Sequence, residues 1–85
     1  MYKVVYTKQA SKKFYKLPRN IQRVIKDKLE QLATNPHYQH PNVTKLQKRA
    51  GYRLRIGNWR VIYEIKDDRL IILVLKIGSR GDVYR

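Results

Sequence analysis

The sequence contains no cysteine. Disulfides, thiolate metal sites and thiol nucleophiles are therefore excluded. It has only two histidines, His37 and His40, in a stretch flanked by Pro36 and Pro41, too few for a histidine metal cluster. Neither metal nor cofactor is called for, and both histidines read as loop residues. Carboxylates are scarce: 6 Asp and Glu stand against 20 Lys and Arg, a formal net charge of +14. The natural partners of so basic a chain are polyanions, nucleic acid above all. Long apolar runs are missing too, the longest being Leu70 to Leu75, far short of a membrane span. Met1-Tyr2-Lys3-Val4-Val5-Tyr6 lacks the plan of a signal peptide, so a cytoplasmic protein with no membrane partner is expected.

What is present suits a small globular protein. The 85 residues are 42% hydrophobic and 31% charged, enough apolar content for one thin core and one domain over residues 1–85. Tyr2 to Thr7 is short, β-branched and aromatic, and reads as a strand. Thr7 suits the N-cap of a helix over 8–16, with Ala10, Phe14 and Leu17 on one side. Its lysines, Lys8, Lys12, Lys13 and Lys16, lie elsewhere on that helix and read as a solvated face. Pro18 stops it, and Asn20 is the expected N-cap of a second helix. That helix has the clearest period in the chain, a 3.6-residue stripe of Ile21, Val24, Ile25, Leu29 and Leu32. Asn35-Pro36 ends it, and 36–51 reads as loop. From Tyr52 the period becomes two. Strands are expected over Tyr52–Ile56, Trp59–Ile65 and Arg69–Ile77, joined by two-residue turns at Gly57-Asn58 and Asp67-Asp68. The order is β-α-α-β-β-β. This is an α+β domain with a helical hairpin packed on one face of an antiparallel sheet.

A two-residue turn at Gly57-Asn58 fixes the register of its hairpin. Tyr52, Leu54, Ile56, Trp59, Val61 and Tyr63 then face the helices, and Arg53, Arg55 and Arg60 face away. Arg55 and Arg60 stand directly opposite each other, which costs stability for like charges. A solvated basic face is the plain alternative, since arginine stems cover apolar surface well. Against it, residues 45–60 hold six cations (Lys45, Lys48, Arg49, Arg53, Arg55 and Arg60) and no carboxylate. An anion site, with the opposed pair as a phosphate clamp, is the sharper reading. With a two-residue Asp67-Asp68 turn, the same face also carries Ile71, Leu73, Leu75 and Ile77. Such an apolar strip needs a cover, either the chain's own tail or a partner.

Three blocks of sequence carry a family likeness. The first runs from Leu17-Pro18 through Ile21-Gln22 to Leu32-Ala33-Thr34-Asn35-Pro36. The second joins Lys45-Leu46 to Gly51 through Ile65, and the third is Ile77-Gly78-Ser79-Arg80-Gly81-Asp82-Val83-Tyr84. Together they resemble the RelE/ParE superfamily of toxin–antitoxin toxins, most closely its RelE branch. The resemblance implies a microbial-ribonuclease-like α+β fold and a ribosome-dependent endoribonuclease that cuts mRNA in the A site, inhibiting translation. It also implies a RelB-like antitoxin that would cover the apolar strip. Arg53 and Arg55 fall where RelE enzymes carry basic residues before the hairpin turn, and Arg60 matches the arginine just after it. Arg80 matches the arginine beyond the last strand, and Tyr84 the closing tyrosine. The chain departs from many relatives at Ser79, where they have histidine, and at Gly81, where they have a second basic residue.

Metal-free RNA cleavage lets the ribose 2′-hydroxyl attack phosphorus, which needs a base, a donor for the leaving 5′-oxygen, and cations around the phosphorane. Arginine is no base, but it binds phosphate bidentately, so Arg53, Arg55 and Arg60 suit electrostatic roles. Arg80 would add to that field near the leaving oxygen. Tyr84 is the expected base, its phenolate favoured by nearby guanidinium groups, with packing of its ring on the sheet as the alternative. Glu64 reads first as a salt-bridge partner of Arg53, and Trp59 and Tyr63 read as core. Lys45, Lys48 and Arg49 are the expected RNA-binding residues outside the centre. Two other functions fit the charge: a ParE-like toxin acting on DNA gyrase, and a non-catalytic basic nucleic-acid-binding module.

Overall fold

A computed structural model describes residues 1–79 of the chain. Its elements are β1 (Lys3–Tyr6), α1 (Lys8–Lys16), α2 (Arg19–Thr34), β2 (Val43–Lys45), β3 (Tyr52–Ile56), β4 (Trp59–Lys66) and β5 (Ile71–Ser79). Thr7 caps α1 as expected, its Oγ1 accepting the Ala10 N–H at 3.2 Å. The same hydroxyl donates to the Leu75 carbonyl at 3.2 Å, which pins the start of the helix to β5. At the junction the N-cap of α2 is Pro18 and not Asn20. Proline arrives with its φ already set, at −56°, and its carbonyl takes the N–H groups of Ile21 and Gln22, both at 3.0 Å. Asn20 therefore lies inside the first turn. Gln22 reaches back to satisfy the Leu17 carbonyl at 2.9 Å, closing the open end of α1.

The sheet order is β1-β5-β4-β3-β2, and two features depart from expectation. The sheet is mixed, because β1 runs parallel to β5 while every other pair is antiparallel. Parallel neighbours need a long connection, and here most of the chain separates the two strands. The second departure is β2, which lies in the segment read as loop. Three residues are too few to show a period, yet Val43 pairs with Leu54 and Lys45 with Tyr52.

The β3–β4 hairpin has the expected register, from Ile56 opposite Trp59 to Tyr52 opposite Tyr63. Gly57 sits at φ +57°, as the first position of a II′-type two-residue turn demands. The β4–β5 connection is different. It spans Asp67 to Leu70, with Leu70 at φ +55°, and β5 begins at Ile71 and not Arg69. A bulge follows: Tyr63 pairs with Val74 but Ile62 with Lys76, so Leu75 is left over and the alternation flips. Ile77 consequently pairs with Val61 and joins the core, contrary to its expected place on the arginine face. The core is built from Ile25, Leu29 and Leu32 of α2 against Leu54, Val61, Tyr63, Ile72, Val74 and Ile77 of the sheet. Val24, expected in the helical stripe, lies at its margin and is 41% exposed. No helix among the described residues is long and apolar enough to cross a membrane.

Candidate nucleic-acid interface

The face of the sheet away from the helices carries two rows of side chains at the hairpin end. One row runs from Arg55 to Arg60 to Gly78, and the next from Thr44 through Arg53 and Ile62 to Lys76. Arg53, Arg55 and Arg60 are thus brought onto one face, as the alternation predicted. Lys76 is an addition that the sequence reading missed. It reaches this face only because of the Leu75 bulge, for which no local residue signal exists.

The Arg55–Arg60 pair does not stand open as the simple register suggests. Arg60 is 9% exposed, and its Nη1 donates to the carbonyls of Gly57 and Trp59, both at 2.9 Å. The guanidinium is turned to the hairpin tip. Two carbonyl dipoles ease the like-charge cost but do not neutralise a cation. Among the described residues, Arg60 has no carboxylate partner. Arg55 is exposed and Arg53 half-buried. Ile62 is only 2% exposed although it lies on this face, in register between Arg53 and Lys76, whose aliphatic stems suit its cover.

Glu64 is paired with Lys66 at 2.8 Å, where Arg53 was the expected partner. Both lie on the same strand two residues apart, so no strand needs to be crossed. The apolar strip is shorter than expected. Ile71 and Leu73 remain on this face opposite Lys66 and Glu64, while the bulge removes Leu75 and Ile77 from the alternation. Lys45 ends β2, and Lys48 and Arg49 follow in the loop to β3, all three exposed. Arg80 and Tyr84 lie outside the described residues.

The histidines have structural work. His37 Nε2 meets Asp67 Oδ1 at 2.6 Å, and the Tyr2 hydroxyl donates to the same oxygen at 2.6 Å. The Tyr2 bond first, then His37, hold the Asp67 carboxyl below its ordinary value, and the Tyr2 phenol is raised in return. This cluster joins the start of the chain to the β4–β5 turn, at the other end of β4 from Arg60. His40 Nε2 is 2.8 Å from the Asn35 carbonyl. Tyr63 is a core residue as predicted; burial pushes its phenol far above the usual tyrosine range, so it stays neutral.

Comparison with known proteins covers nearly the whole chain. The family model of the ParE toxin of the type II toxin–antitoxin system parDE matches residues 4–84. A RelE-like toxin protein of Escherichia coli is 32% identical over 85 residues, 98% of this chain and 90% of the relative. The mRNA interferase RelE of Shigella flexneri is 22% identical over 81 residues, 93% of this chain and 85% of the relative. Among solved structures, the archaeal RelE–RelB complex from Pyrococcus horikoshii OT3 superposes with a TM-score of 0.78 at 30% identity, covering 96% of this chain and 98% of that one. The fold, the order of its elements and these matches agree: the chain belongs to the RelE/ParE superfamily of type II toxin–antitoxin toxins and stands close to RelE.

Proposed function

We propose that this toxin is a ribosome-dependent endoribonuclease that cleaves mRNA in the ribosomal A site by metal-free attack of the ribose 2′-hydroxyl. The observation that carries the proposal is Arg60, a buried guanidinium without a carboxylate partner among the described residues. Burying an uncompensated cation is costly, and an anionic substrate that docks against it supplies the missing charge. Arg55 opposite Arg60, with Arg53 in the neighbouring row, extends the site along a phosphodiester.

In the reaction, a base removes the 2′-hydroxyl proton and the oxygen attacks the adjacent phosphorus. Arg53, Arg55 and Arg60 stabilise the charge of the phosphorane, and the 5′-oxygen leaves with a proton. Tyr84 is the proposed base, and Arg80 the proposed donor toward the leaving oxygen. An acid–base set this spare fits an enzyme whose substrate is oriented by the ribosome. A RelB-like antitoxin is the proposed partner, since the archaeal relative was solved as a RelE–RelB complex and Ile71 and Leu73 place apolar side chains on the arginine face beside Lys66 and Glu64.

The test is cell-free translation of a defined mRNA with purified protein, mapping new 5′ ends. Codon-positioned cuts support the proposal, and their absence at saturating protein rejects it. In single-turnover cleavage on programmed ribosomes, Tyr84→Phe should slow the chemical step by about 10²–10⁴-fold. A rate within a few-fold of the parent removes Tyr84 from the mechanism. Because the matching family model is that of ParE, gyrase inhibition is the second reading. Loss of supercoiling activity in a purified gyrase assay, without mRNA cuts, would favour it.

A further inference from the structure

The loop between β2 and β3 builds a bay of about 390 Å³ lined by Lys45, Lys48, Arg49 and Arg53, with Thr44, Leu46 and Gln47. Its lining has four cations, two neutral hydrogen-bonding side chains, one leucine and no carboxylate. The larger groove along the helices, about 740 Å³, is different in kind: Arg19, Arg23 and Lys26 share it with Asp27 and Glu30. There the charges can answer one another. In the bay, Lys45, Lys48 and Arg49 have no carboxylate partner among the described residues.

The backbone beneath the bay is held in place. Thr44 and Lys45 are paired with Arg53 and Tyr52 on β3, and the Leu46 N–H donates to the Gly51 carbonyl at 3.0 Å, closing the loop. Gly51 sits at φ +115°, and a Cβ there would come within 2.8 Å of the Tyr63 carbonyl. Only glycine lets the loop approach β4 this closely. Lys45, Lys48 and Arg49 are therefore gathered on a fixed frame, and a bound anion would offset their mutual repulsion.

From this we infer that the bay is a second phosphodiester subsite, which takes the RNA strand where it passes Arg53 and leaves the arginine row. The inference rests on the RNA-cleaving reading of the open face. Arg53 joins the two regions, being in the bay's wall and in register beside the Arg55–Arg60 row. An RNA backbone lying on that row continues into the bay without leaving positive surface. Lysine and arginine at this position contact phosphate oxygens, so the subsite holds and orients the strand without reading its sequence.

The experiment measures equilibrium binding of the full chain to a short fluorescent single-stranded RNA of mixed sequence over a range of salt. The triple variant Lys45→Gln/Lys48→Gln/Arg49→Gln is compared with the parent and with Arg23→Gln/Lys26→Gln/Lys28→Gln, an equal charge change on exposed positions of α2. Thermal melts confirm that each variant is folded. Removing one cation from a phosphate should lower the log–log salt slope by about 0.7, hence roughly two units for the bay triple and much less for the helix triple. Equal slope reductions in the two triples, or an unchanged slope in the bay triple, overturn the subsite. Tighter bay-dependent binding of a poly-glutamate peptide than of RNA assigns the bay to an acidic protein and overturns it as well. Should the parent bind RNA through the bay yet cut no mRNA on ribosomes, the nuclease reading fails while the subsite stands.

Discussion

The two faces of the sheet obey opposite rules although the same strands supply both. On the helix side, Leu54, Val61, Tyr63, Ile72 and Val74 are buried against α2, and no charged side chain is among the core residues. On the other side Ile62 is buried just as deeply, but its neighbours in register are Arg53 and Lys76, and Arg60 is buried beside them. One face is closed by shape and apolar area. The other sets Arg55 directly opposite Arg60, a like-charge pairing that costs the fold. Stability should therefore reside in the first face and activity in the second, and substitutions can separate the two.

The largest effect is expected on the closed face. Leu29→Ala, at a fully buried position, should cost about 2–5 kcal/mol, read as a lower urea midpoint and melting temperature. On the open face, Arg60→Met should lower single-turnover cleavage by about 10²–10³-fold, the loss of a transition-state donor. Its melting temperature should change little, because losing the bonds to the Gly57 and Trp59 carbonyls is offset by removing a cation opposite Arg55. If Arg60→Met unfolds the protein instead, the contrast between the faces is broken. Smaller still, Arg55→Gln should leave the melting temperature unchanged or slightly higher as a like-charge pair is relieved, while the salt slope of RNA binding falls by about 0.7.

The smallest effect concerns the Tyr2–Asp67–His37 cluster, which lies on neither face. The folded carboxyl of Asp67 titrates below its unfolded value, so its stabilisation is present above the ordinary carboxylate pKa. It is lost as pH falls through the depressed folded value. The difference in urea midpoint between the parent and Asp67→Asn should accordingly be present at neutral pH and vanish in acid. A difference that persists there would mean the bonds from Tyr2 and His37 do not depend on the charge.

The contrast between the faces was largely legible in the sequence, because Gly57-Asn58 fixes one register and period-two alternation does the rest. The three arginines fell on one face, and Trp59 and Tyr63 turned inward, for that reason alone. What failed was the part governed by contacts distant in the chain. The Leu75 bulge and the positive φ of Leu70 are set by how β5 fits between β4 and β1, and neither residue type announces them. The bulge decides where Lys76 and Ile77 point. The curl of Arg60 onto the Gly57 and Trp59 carbonyls was illegible too, since alternation gives a side chain's face and not its path.

The parallel pairing of β1 with β5 also governs the order in which the molecule assembles. β3, β4 and β5 are consecutive antiparallel neighbours and close only short loops, whereas Lys3 finds its partner at Ile71. Joining β1 to the sheet closes a loop containing most of the chain, and the entropy of that closure is recovered only once β5 exists. During synthesis β1 thus stays unpaired until β5 has emerged. The sheet matures from its middle outward, and the chain spends its translation with one edge incomplete.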